Sequence, residues 1–390
     1  MNSQKVWAVV AGGGTGGHAV PAVAIGRALV GRGHPADSIH FVGSQRGIER
    51  RLVPAAGFEI TLLPGRGIVR RFSWSNVGAA AGLLSAVAKA TRLLTRLRPA
   101  VVISVGGYAS AACSVAAISL RIPLIVAEQN AVPGLVNRLA GRFARACAVS
   151  FPDTPLPRAV VTGNPVRPEI RGADRSPEGR RAARASLGIP EGSRVVAVAG
   201  GSLGARRINQ ATVDLARLWK DRGDVAIRHV AGERDFEMVR DAAGDLAQSP
   251  SESPASPLPV PVPGSSGSLV YQVVRFEDRM DLLLSAADIA VQRAGGSVAE
   301  LTAVGVPSIL VPLPAAPGDH QTLNAQRLVQ AGAAVMVPDS EFDAQRLAAE
   351  LERLLFDQEA LEEMAAAARA VAFPDAADSV AALAEQHARG

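Results

Sequence analysis

The chain contains few cysteines, lysines and aromatic residues, and these shortages exclude some classes of protein. Two cysteines, Cys113 and Cys147, cannot build a disulfide framework and lack the spacing of a redox or zinc motif, which suits a reducing compartment. Only three of the 41 basic residues are lysines, and the net charge of +5 over 390 residues does not by itself indicate a nucleic-acid partner. The 48% hydrophobic content is typical of a globular chain of two or three domains.

Long hydrophobic runs are also scarce. Val6–Ala11 is too short for the apolar region of a secretory signal. Pro99–Leu120 carries no charge and is long enough to span a bilayer, but it contains serines, glycines and a tyrosine. We therefore expect a buried strand at Val101–Val105, a Gly-Gly turn and a helix of small residues.

Short β-rich runs alternate with helical runs along both halves of the chain. This alternation predicts an α/β protein with two doubly wound parallel sheets, each covered by helices on both faces. The proline pair Pro165 and Pro168 marks the break, so the predicted domains are 1–165 and 166–372, with the deep site in the cleft between them. The Pro/Ser-rich stretch 248–267 predicts a flexible surface insertion; a further boundary or a partner-binding PxxP segment is the alternative.

The glycine-rich stretch Ala11–His18 directly follows the first predicted strand and opens a helix. Such a turn offers unpaired backbone amides to a phosphate. A dinucleotide site also needs a carboxylate after the second strand, where the chain reads Val42-Gly-Ser-Gln45, and no GK[ST] of a P-loop follows. A dinucleotide-binding site and a P-loop are therefore both disfavoured. His18 is either a general base for a sugar hydroxyl or only a hydrogen-bonding group.

The second half has two further glycine turns. Gly200–Arg206 follows a predicted strand and could hold a diphosphate, unless it is a plain strand–helix connection. Arg293–Glu300 places Glu300 on a helix, where its carboxylate could accept hydrogen bonds from ribose hydroxyls or simply favour the helix dipole. Asp319–Asn324 adds polar groups at the carboxyl end of another predicted strand.

The sequence shows no spacing typical of a metal site and no DxD motif. Gly65–Arg98 combines seven cations with aromatic and aliphatic residues. It predicts contact with an anionic membrane surface, and a core-packed helix with a solvated basic face is the alternative. No aromatic stacking platform accompanies these cations, so nucleic acid is not expected. The membrane patch is assigned to Arg70, Arg71, Phe72 and Trp74.

Seven motifs in this order resemble those of the MurG family, the membrane-associated glycosyltransferases of peptidoglycan synthesis. The resemblance covers nearly the whole chain. The motifs are GGTGGH (Gly13–His18), GGY (Gly106–Tyr108), EQN (Glu128–Asn130), GNPVR (Gly163–Arg167), GGSLGAR (Gly200–Arg206), RAGGSVAE (Arg293–Glu300) and HQTLNA (His320–Ala325).

The resemblance implies a GT-B fold, in which two Rossmann-like domains face a cleft and a carboxyl-terminal helix, 373–390, packs back on the first. It implies an inverting enzyme that moves GlcNAc from UDP-GlcNAc to the MurNAc 4-hydroxyl of undecaprenyl-linked lipid I, forming lipid II. No cofactor or metal is implied. Domain 1–165 would bind acceptor and membrane, and domain 166–372 would bind UDP-GlcNAc. The enzyme would lie peripherally on the cytoplasmic face of the cell membrane, with a cell-wall synthesis complex as a further partner.

The resemblance also assigns site residues. Glu300 would hold the ribose, and residue 277 would meet uracil chiefly through its backbone. Gly13, Gly14 and Tyr108 would face the lipid-linked diphosphate and acceptor sugar. His18 is the first choice of catalytic base and Glu128 the second. The residues assigned to UDP-GlcNAc are Thr15, Gly16, Gly17, Asn130, Arg167, Ser202, Glu277, Gly295, Gly296, Ser297, Glu300 and Gln321.

Three positions depart from the family's pattern. Ala127 stands where a His often precedes EQN, RAGGSVAE is about one residue short, and Glu277 occupies a commonly aliphatic position. Alternative functions are a GT-B transferase for another lipid or natural product, a UDP-GlcNAc 2-epimerase, a nicotinamide-dependent oxidoreductase, and a membrane-surface scaffold without enzymatic activity.

Overall fold

The computed structural model of the chain describes residues 6–64, 75–201, 205–248 and 267–389, with only the backbone of 75–81. The chain divides into two compact units. Unit 1 comprises Met1–Arg167 together with Phe373–Gly390, and unit 2 comprises Pro168–Ala372. Ser202, the membrane patch at 70–74 and nearly all of the Pro/Ser-rich stretch lie outside the described residues.

Unit 1 is built on a sheet of seven parallel strands in the order β3-β2-β1-β4-β5-β6-β7. The inner strands are buried from end to end, which explains their continuous runs of Val, Ile and Ala. The strands are β1 (Ala8–Gly12), β2 (Ile39–Ser44), β3 (Glu59–Leu63), β4 (Val101–Gly106), β5 (Leu124–Glu128), β6 (Ala146–Val149) and β7 (Ala159–Val161).

Helices cover both faces of this sheet. One face packs against α3 and α4, which bury Ala90, Leu94 and Cys113. The other face packs against α1 and the last helix of the chain, α15, which buries Val380 and Ala384. The helices of unit 1 are α1 (Gly16–Gly31), α2 (Glu49–Ala55), α3 (Ser75–Leu97), α4 (Tyr108–Ser119), α5 (Leu135–Ala140) and α15 (Ala376–His387).

Unit 2 has a sheet of six parallel strands in the order β10-β9-β8-β11-β12-β13. Its described strands are β8 (Arg194–Ala199), β9 (Val225–Val230), β10 (Val270–Val274), β11 (Ile289–Gln292), β12 (Ser308–Leu310) and β13 (Ala334–Met336). Its described helices are α6 (Pro168–Arg171), α7 (Pro177–Ser186), α8 (Arg206–Leu218), α9 (Phe236–Ala243), α10 (Met280–Ala286), α11 (Val298–Val304), α12 (His320–Gln330), α13 (Ala344–Leu355) and α14 (Gln358–Ala370).

In both parallel sheets the strand order reverses at the first strand. In unit 1 the second and third strands lie on one side of β1 and the fourth on the other; in unit 2 the same reversal occurs at β8. Ligands of open α/β sheets bind at this switch point, beyond the carboxyl ends of the strands. The turns after β1 and β4, and those after β8 and β11, are therefore where a ligand is expected.

The structure confirms the predicted strand–helix alternation. Pro99–Leu120 forms β4, a Gly-Gly turn and α4, as the sequence predicted. No helix in the described part of the chain is long and apolar enough to cross a membrane. Most helix ends lie within two residues of the prediction: α1 begins at Gly16, where a start at His18 was expected. An exception is α12, which begins at His320 and not at the expected Asn324, so most of the polar stretch Asp319–Asn324 is helical and not a loop.

Candidate functional site

The glycine turns after β1 and β4 touch each other at the switch point of unit 1. A Cβ on Gly107 would lie 2.3 Å from the carbonyl oxygen of Gly13, and both residues have positive φ. Ser110 joins the two turns, because its hydroxyl donates to Ala11 O and accepts from Gly106 N. Only glycine permits this approach, and the two turns form one continuous surface.

His18 lies on this surface in the first turn of α1. A Cβ on Gly106 would be 2.8 Å from both Cδ2 and Nε2 of the His18 ring, so the ring rests directly on the Gly106 backbone. The side-chain nitrogen of Asn137 is 3.6 Å from the same point. That nitrogen donates to Glu128 Oε2 at 2.9 Å, so the two candidate bases of the sequence analysis come together around Gly106 and Asn137.

Glu128 ends β5, and its carboxylate is almost completely enclosed. Oε1 accepts from the backbone and side-chain nitrogens of Asn130, at 3.0 and 3.1 Å. Oε2 accepts from Gly134 N at 3.0 Å and from Asn137. The carboxylate therefore fixes the loop that follows β5, including the expected nucleotide-sugar residue Asn130, and all four hydrogen bonds use its lone pairs.

Tyr108 begins α4 directly after the Gly-Gly turn. Its hydroxyl oxygen is buried and has no hydrogen-bond partner among the described residues. Burial raises the pKa of this phenol above its usual value, so the group stays a neutral donor and acceptor. Thr15, Gly16 and Gly17 lie at the start of the same surface, where the first amides of α1 have no preceding helical carbonyl.

In unit 2 the turn after β11 is held by its own Arg293, which reaches two other segments, and by Asn324 from α12. Arg293 donates to Val311 O, Pro312 O and Asp339 Oδ1, at 3.0, 3.2 and 2.6 Å. Asn324 on α12 donates to Ala294 O at 3.0 Å. These contacts fix the backbone that carries Gly295, Gly296 and Ser297 into α11, where Glu300 occupies the first turn.

Gln321 reaches the same turn from α12. Its Oε1 accepts from Leu313 N at 2.9 Å, and its Nε2 lies 3.9 Å from the position of a Cβ on Gly295. Gln292, the last residue of β11, is buried, and its Nε2 has no hydrogen-bond partner among the described residues. The structure thus brings Gln321 beside the glycines, as expected for one binding surface, and adds a buried amide next to it.

Glu277 lies in the loop after β10 and turns its side chain into the protein. Its Oε2 is 2.6 Å from both Nε and Nη2 of Arg228, and each residue's side chain is 5% exposed. Oε1 accepts from Arg279 N, and Arg228 also donates to Gln272 Oε1 at 2.7 Å. A carboxylate at position 277, where the family resemblance implied an aliphatic side chain, is thus explained by a buried arginine on the neighbouring strand β9.

Some expected residues are not brought into these clusters. Arg167 ends unit 1 and is half-buried, whereas Ser202 and the patch Arg70, Arg71, Phe72 and Trp74 lie outside the described residues. In the described ranges, no three His, Cys, Asp or Glu side chains are grouped as metal ligands.

The sequence analysis missed Glu49, Asn137 and Gln292, and it named Asn324 only as part of the polar stretch Asp319–Asn324, without its contact to the turn after β11. Each is a buried polar residue that holds or borders a turn from another part of the chain. For Glu49 the signal was a carboxylate placed shortly after Gly43 and Gly47, and for Asn324 it was the polar stretch itself.

The sequence matches two domain families and several known transferases over most of its length. Residues 8–149 match the glycosyltransferase family 28 N-terminal domain, and residues 195–380 match its C-terminal domain. A UDP-N-acetylglucosamine–N-acetylmuramyl-(pentapeptide) pyrophosphoryl-undecaprenol N-acetylglucosamine transferase from Alkalilimnicola ehrlichii is 40% identical over 384 residues, covering 98% of this chain and 99% of the relative. The chain belongs to the MurG family.

The crystal structure of Acinetobacter baumannii MurG matches with a TM-score of 0.70 and 28% identity, covering 97% of this chain and 99% of that one. The fold of this MurG-family chain is therefore GT-B. A UDP-GlcNAc 2-epimerase from Neisseria meningitidis, bound to UDP-GlcNAc, matches with a TM-score of 0.64 at 14% identity, covering 97% and 99% of the two chains. At that identity the likeness concerns the fold alone.

Proposed function

We propose that this chain transfers GlcNAc from UDP-GlcNAc to the MurNAc 4-hydroxyl of lipid I, which forms lipid II. One observation carries the proposal: a curated transferase with this activity in its name is 40% identical to the chain over nearly the full length of both. The two units supply turns suited to anionic ligands at both switch points, as a reaction between a nucleotide sugar and a lipid diphosphate requires.

We assign the general base to His18 and a positioning role to Glu128. An imidazole titrates near neutral pH, and the His18 ring lies beside the Gly-Gly turn that precedes Tyr108. Glu128 already accepts four hydrogen bonds, two of them from backbone amides. Taking a proton would cost it at least one of these bonds, so it is the weaker candidate and serves to hold Asn130.

We assign the donor to unit 2, with the ribose on Glu300 and the diphosphate near Gly295, Gly296 and Ser297. The turn is fixed by Arg293 and Asn324 before any ligand arrives, so little ordering is needed on binding. Because the Glu277 carboxylate is turned inward onto Arg228, the backbone of this loop remains for uracil. Glu300→Ala should weaken UDP-GlcNAc binding in a calorimetric titration; unchanged affinity would remove the ribose role.

We further propose that unit 1 attaches to the cytoplasmic face of the cell membrane through the patch at 70–74. The described part of α3, which follows the patch, exposes Leu84 together with Lys89 and Arg92, a mixture suited to anionic headgroups. Replacing Arg70 and Arg71 together by Glu should weaken sedimentation with anionic vesicles and leave turnover of a soluble acceptor nearly intact. Full vesicle binding by this variant would contradict the assignment.

The transfer reaction is tested with radiolabelled UDP-GlcNAc and a short-chain lipid I analogue, in detergent with EDTA. Label in a disaccharide lipid is the expected result. Binding of UDP-GlcNAc without transfer would contradict lipid I as the acceptor. Other acceptors and epimerisation of UDP-GlcNAc would then be tested. His18→Gln should lower kcat by about 10²–10⁴ with UDP affinity retained. If Glu128→Gln instead removes the acidic limb of the pH profile, where the general base becomes protonated, the two roles are exchanged.

A further inference from the structure

Glu49 is a buried carboxylate directly behind the glycine turn of unit 1. It is the first residue of α2 and is 1% exposed. Its Oε2 accepts from Gly14 N at 2.8 Å, and its Oε1 accepts from the backbone and hydroxyl of Ser44, at 2.7 and 2.8 Å. The side chain therefore joins the turn after β1 to the end of β2, and it lies 35 residues along the chain from Gly14.

Three glycines make room for this carboxylate. A Cβ on Gly13 would lie 2.1 Å from Oε1, one on Gly43 would lie 2.5 Å from Cγ, and one on Gly47 would lie 1.9 Å from Oε2. None of these distances permits a side chain. Part of the glycine content of this region is thus explained by the volume of Glu49, not by the ligand.

The hydrogen bonds of Glu49 decide which amides of the turn face outward. The Gly14 amide points inward to the carboxylate, which occupies the place that an anion would take at that nitrogen. The amides of Gly16 and Gly17 belong to the first turn of α1, where no helical carbonyl precedes them. An anion on this turn is therefore directed to the helix end and away from Gly14.

We propose that Glu49 is a positioning residue for the reaction: it fixes the turn Gly13–His18 so that the diphosphate of the acceptor binds at the amino end of α1 and His18 keeps its place on Gly106. This inference rests on the proposed function for the identity of the ligand. The geometry of the turn, which is tested separately, does not depend on it.

Glutamine cannot take over this role, although it has the shape of glutamate. Each carboxylate oxygen accepts from a backbone amide, one from Gly14 and the other from Ser44. Whichever way a glutamine amide turned, its NH₂ group would meet a backbone N–H, and one amide would lose its acceptor. Glu49→Gln is thus a small change in volume that breaks the contact, and this makes it the diagnostic substitution.

The experiment compares the full-length protein with Glu49→Gln and with Glu59→Gln, a control on β3 whose side chain is 79% exposed. Amide hydrogen exchange of the peptide containing Gly13–His18 should become faster in Glu49→Gln and stay unchanged in Glu59→Gln. kcat/KM for a short-chain lipid I analogue should fall at least about tenfold, mainly through KM, because a hydrogen bond to a charged group is lost. Affinity for UDP should stay within about twofold, since unit 2 is untouched.

A second route protects the test against a variant that fails to fold. Gly47 does not have a positive φ, so alanine there is acceptable to the backbone and should act only by displacing Glu49. Gly47→Ala should reproduce the faster exchange and the raised KM. Wild-type exchange and wild-type KM in both variants would overturn the inference. If the wild type itself transfers nothing to lipid I, the proposed function fails, and the exchange measurement still decides the role of Glu49.

Discussion

The two units bury their carboxylates with opposite kinds of partner. In unit 1, the partners of Glu49 and Glu128 among the described residues are backbone amides, a hydroxyl and side-chain amides. In unit 2, Glu277 and Asp288 each face arginine: Arg228 in the first case, and Arg180 and Arg184 in the second. Burial of a charge requires compensation in both units, but only unit 2 provides it with an opposite charge.

The partners of each buried carboxylate show which part of the chain it holds in place. A carboxylate held by backbone amides fixes the path of the chain that carries those amides, and in unit 1 these chains are the turns after β1 and β5. Glu277 and Asp288 each accept from a backbone amide too, that of Arg279 and of Val195, but they hold arginine side chains as well. In unit 2 the turn after β11 is held by side-chain donors instead: Arg293 of the turn donates to Val311 O, and Asn324 of α12 donates to Ala294 O.

The glycines of the two sites differ in the same way. Gly13 and Gly14 have φ of +143° and +101°, so the turn of unit 1 needs glycine for its backbone geometry. Gly295 and Gly296 do not have positive φ, and the nearest atom to a Cβ on Gly295 is 3.9 Å away. At Gly295 neither the backbone angle nor a neighbouring atom requires glycine, which agrees with the proposal that a ligand approaches this turn closely.

The largest change in stability is expected when one partner of the Arg228–Glu277 ion pair in unit 2 is removed. Arg228→Met leaves the Glu277 carboxylate buried without its cation, so the free energy of unfolding should fall by about 3–5 kcal/mol. Adding Glu277→Leu should recover most of the loss, because apolar side chains can replace both charges. Recovery stays incomplete since Gln272 Oε1 loses its donor as well.

The readout is the fluorescence of Trp219, which lies in the same buried cluster as Tyr271 in unit 2, in a background with Trp7 and Trp74 replaced by Phe. Arg240→Met is the matched control, since its surface ion pair with Glu237 leaves the Arg240 side chain 50% exposed and should change stability by less than about 1 kcal/mol. A double variant no more stable than Arg228→Met would show that the pair is not compensated as described.

Unit 1 should respond differently, because its buried carboxylates Glu49 and Glu128 have no cation partner within the described ranges. Both oxygens of Glu128 accept from a backbone amide, so Glu128→Gln places an NH₂ group against Asn130 N or Gly134 N. We expect a loss of about 1.5–3 kcal/mol in unfolding free energy, reported by Trp7 with the other tryptophans replaced. A loss below about 0.5 kcal/mol would mean that the loop finds other acceptors.

Much of the fold follows from the sequence, because buried parallel strands and glycine turns have local signatures. The turns after β1 and β11 were found from glycine and the strand before them. The residues that hold those turns were not: Glu49 lies 35 positions from Gly14, and Asn324 lies 30 from Ala294. Their partners are set by the packing of helices on the sheet, which no local pattern encodes. The inward turn of Glu277 depended likewise on Arg228, a residue on another strand.

The smallest expected effect is on the pH dependence of stability, and it comes from His229, which unit 2 buries in its neutral form. His229 lies between Tyr271 and Asn209, and since Asn209 Oδ1 must accept, Nε2 carries the hydrogen and Nδ1 accepts from the tyrosine hydroxyl. Burial lowers the pKa of His229 to about 3. An unfolded histidine binds its proton near pH 6.5, so between these values the unfolded state carries the extra proton and stability falls as the pH falls.

The slope from this one group is at most about 1.4 kcal/mol per pH unit. Urea unfolding followed by Trp219 between pH 6 and 5 should therefore show a shallower loss of stability in His229→Gln than in the parent, whatever the absolute stability of the variant. Carboxylates titrate in both proteins and cancel in the difference. Parallel pH profiles would mean that His229 is protonated in the folded state, and unit 2 would then bury a cation that its ion pairs do not neutralise.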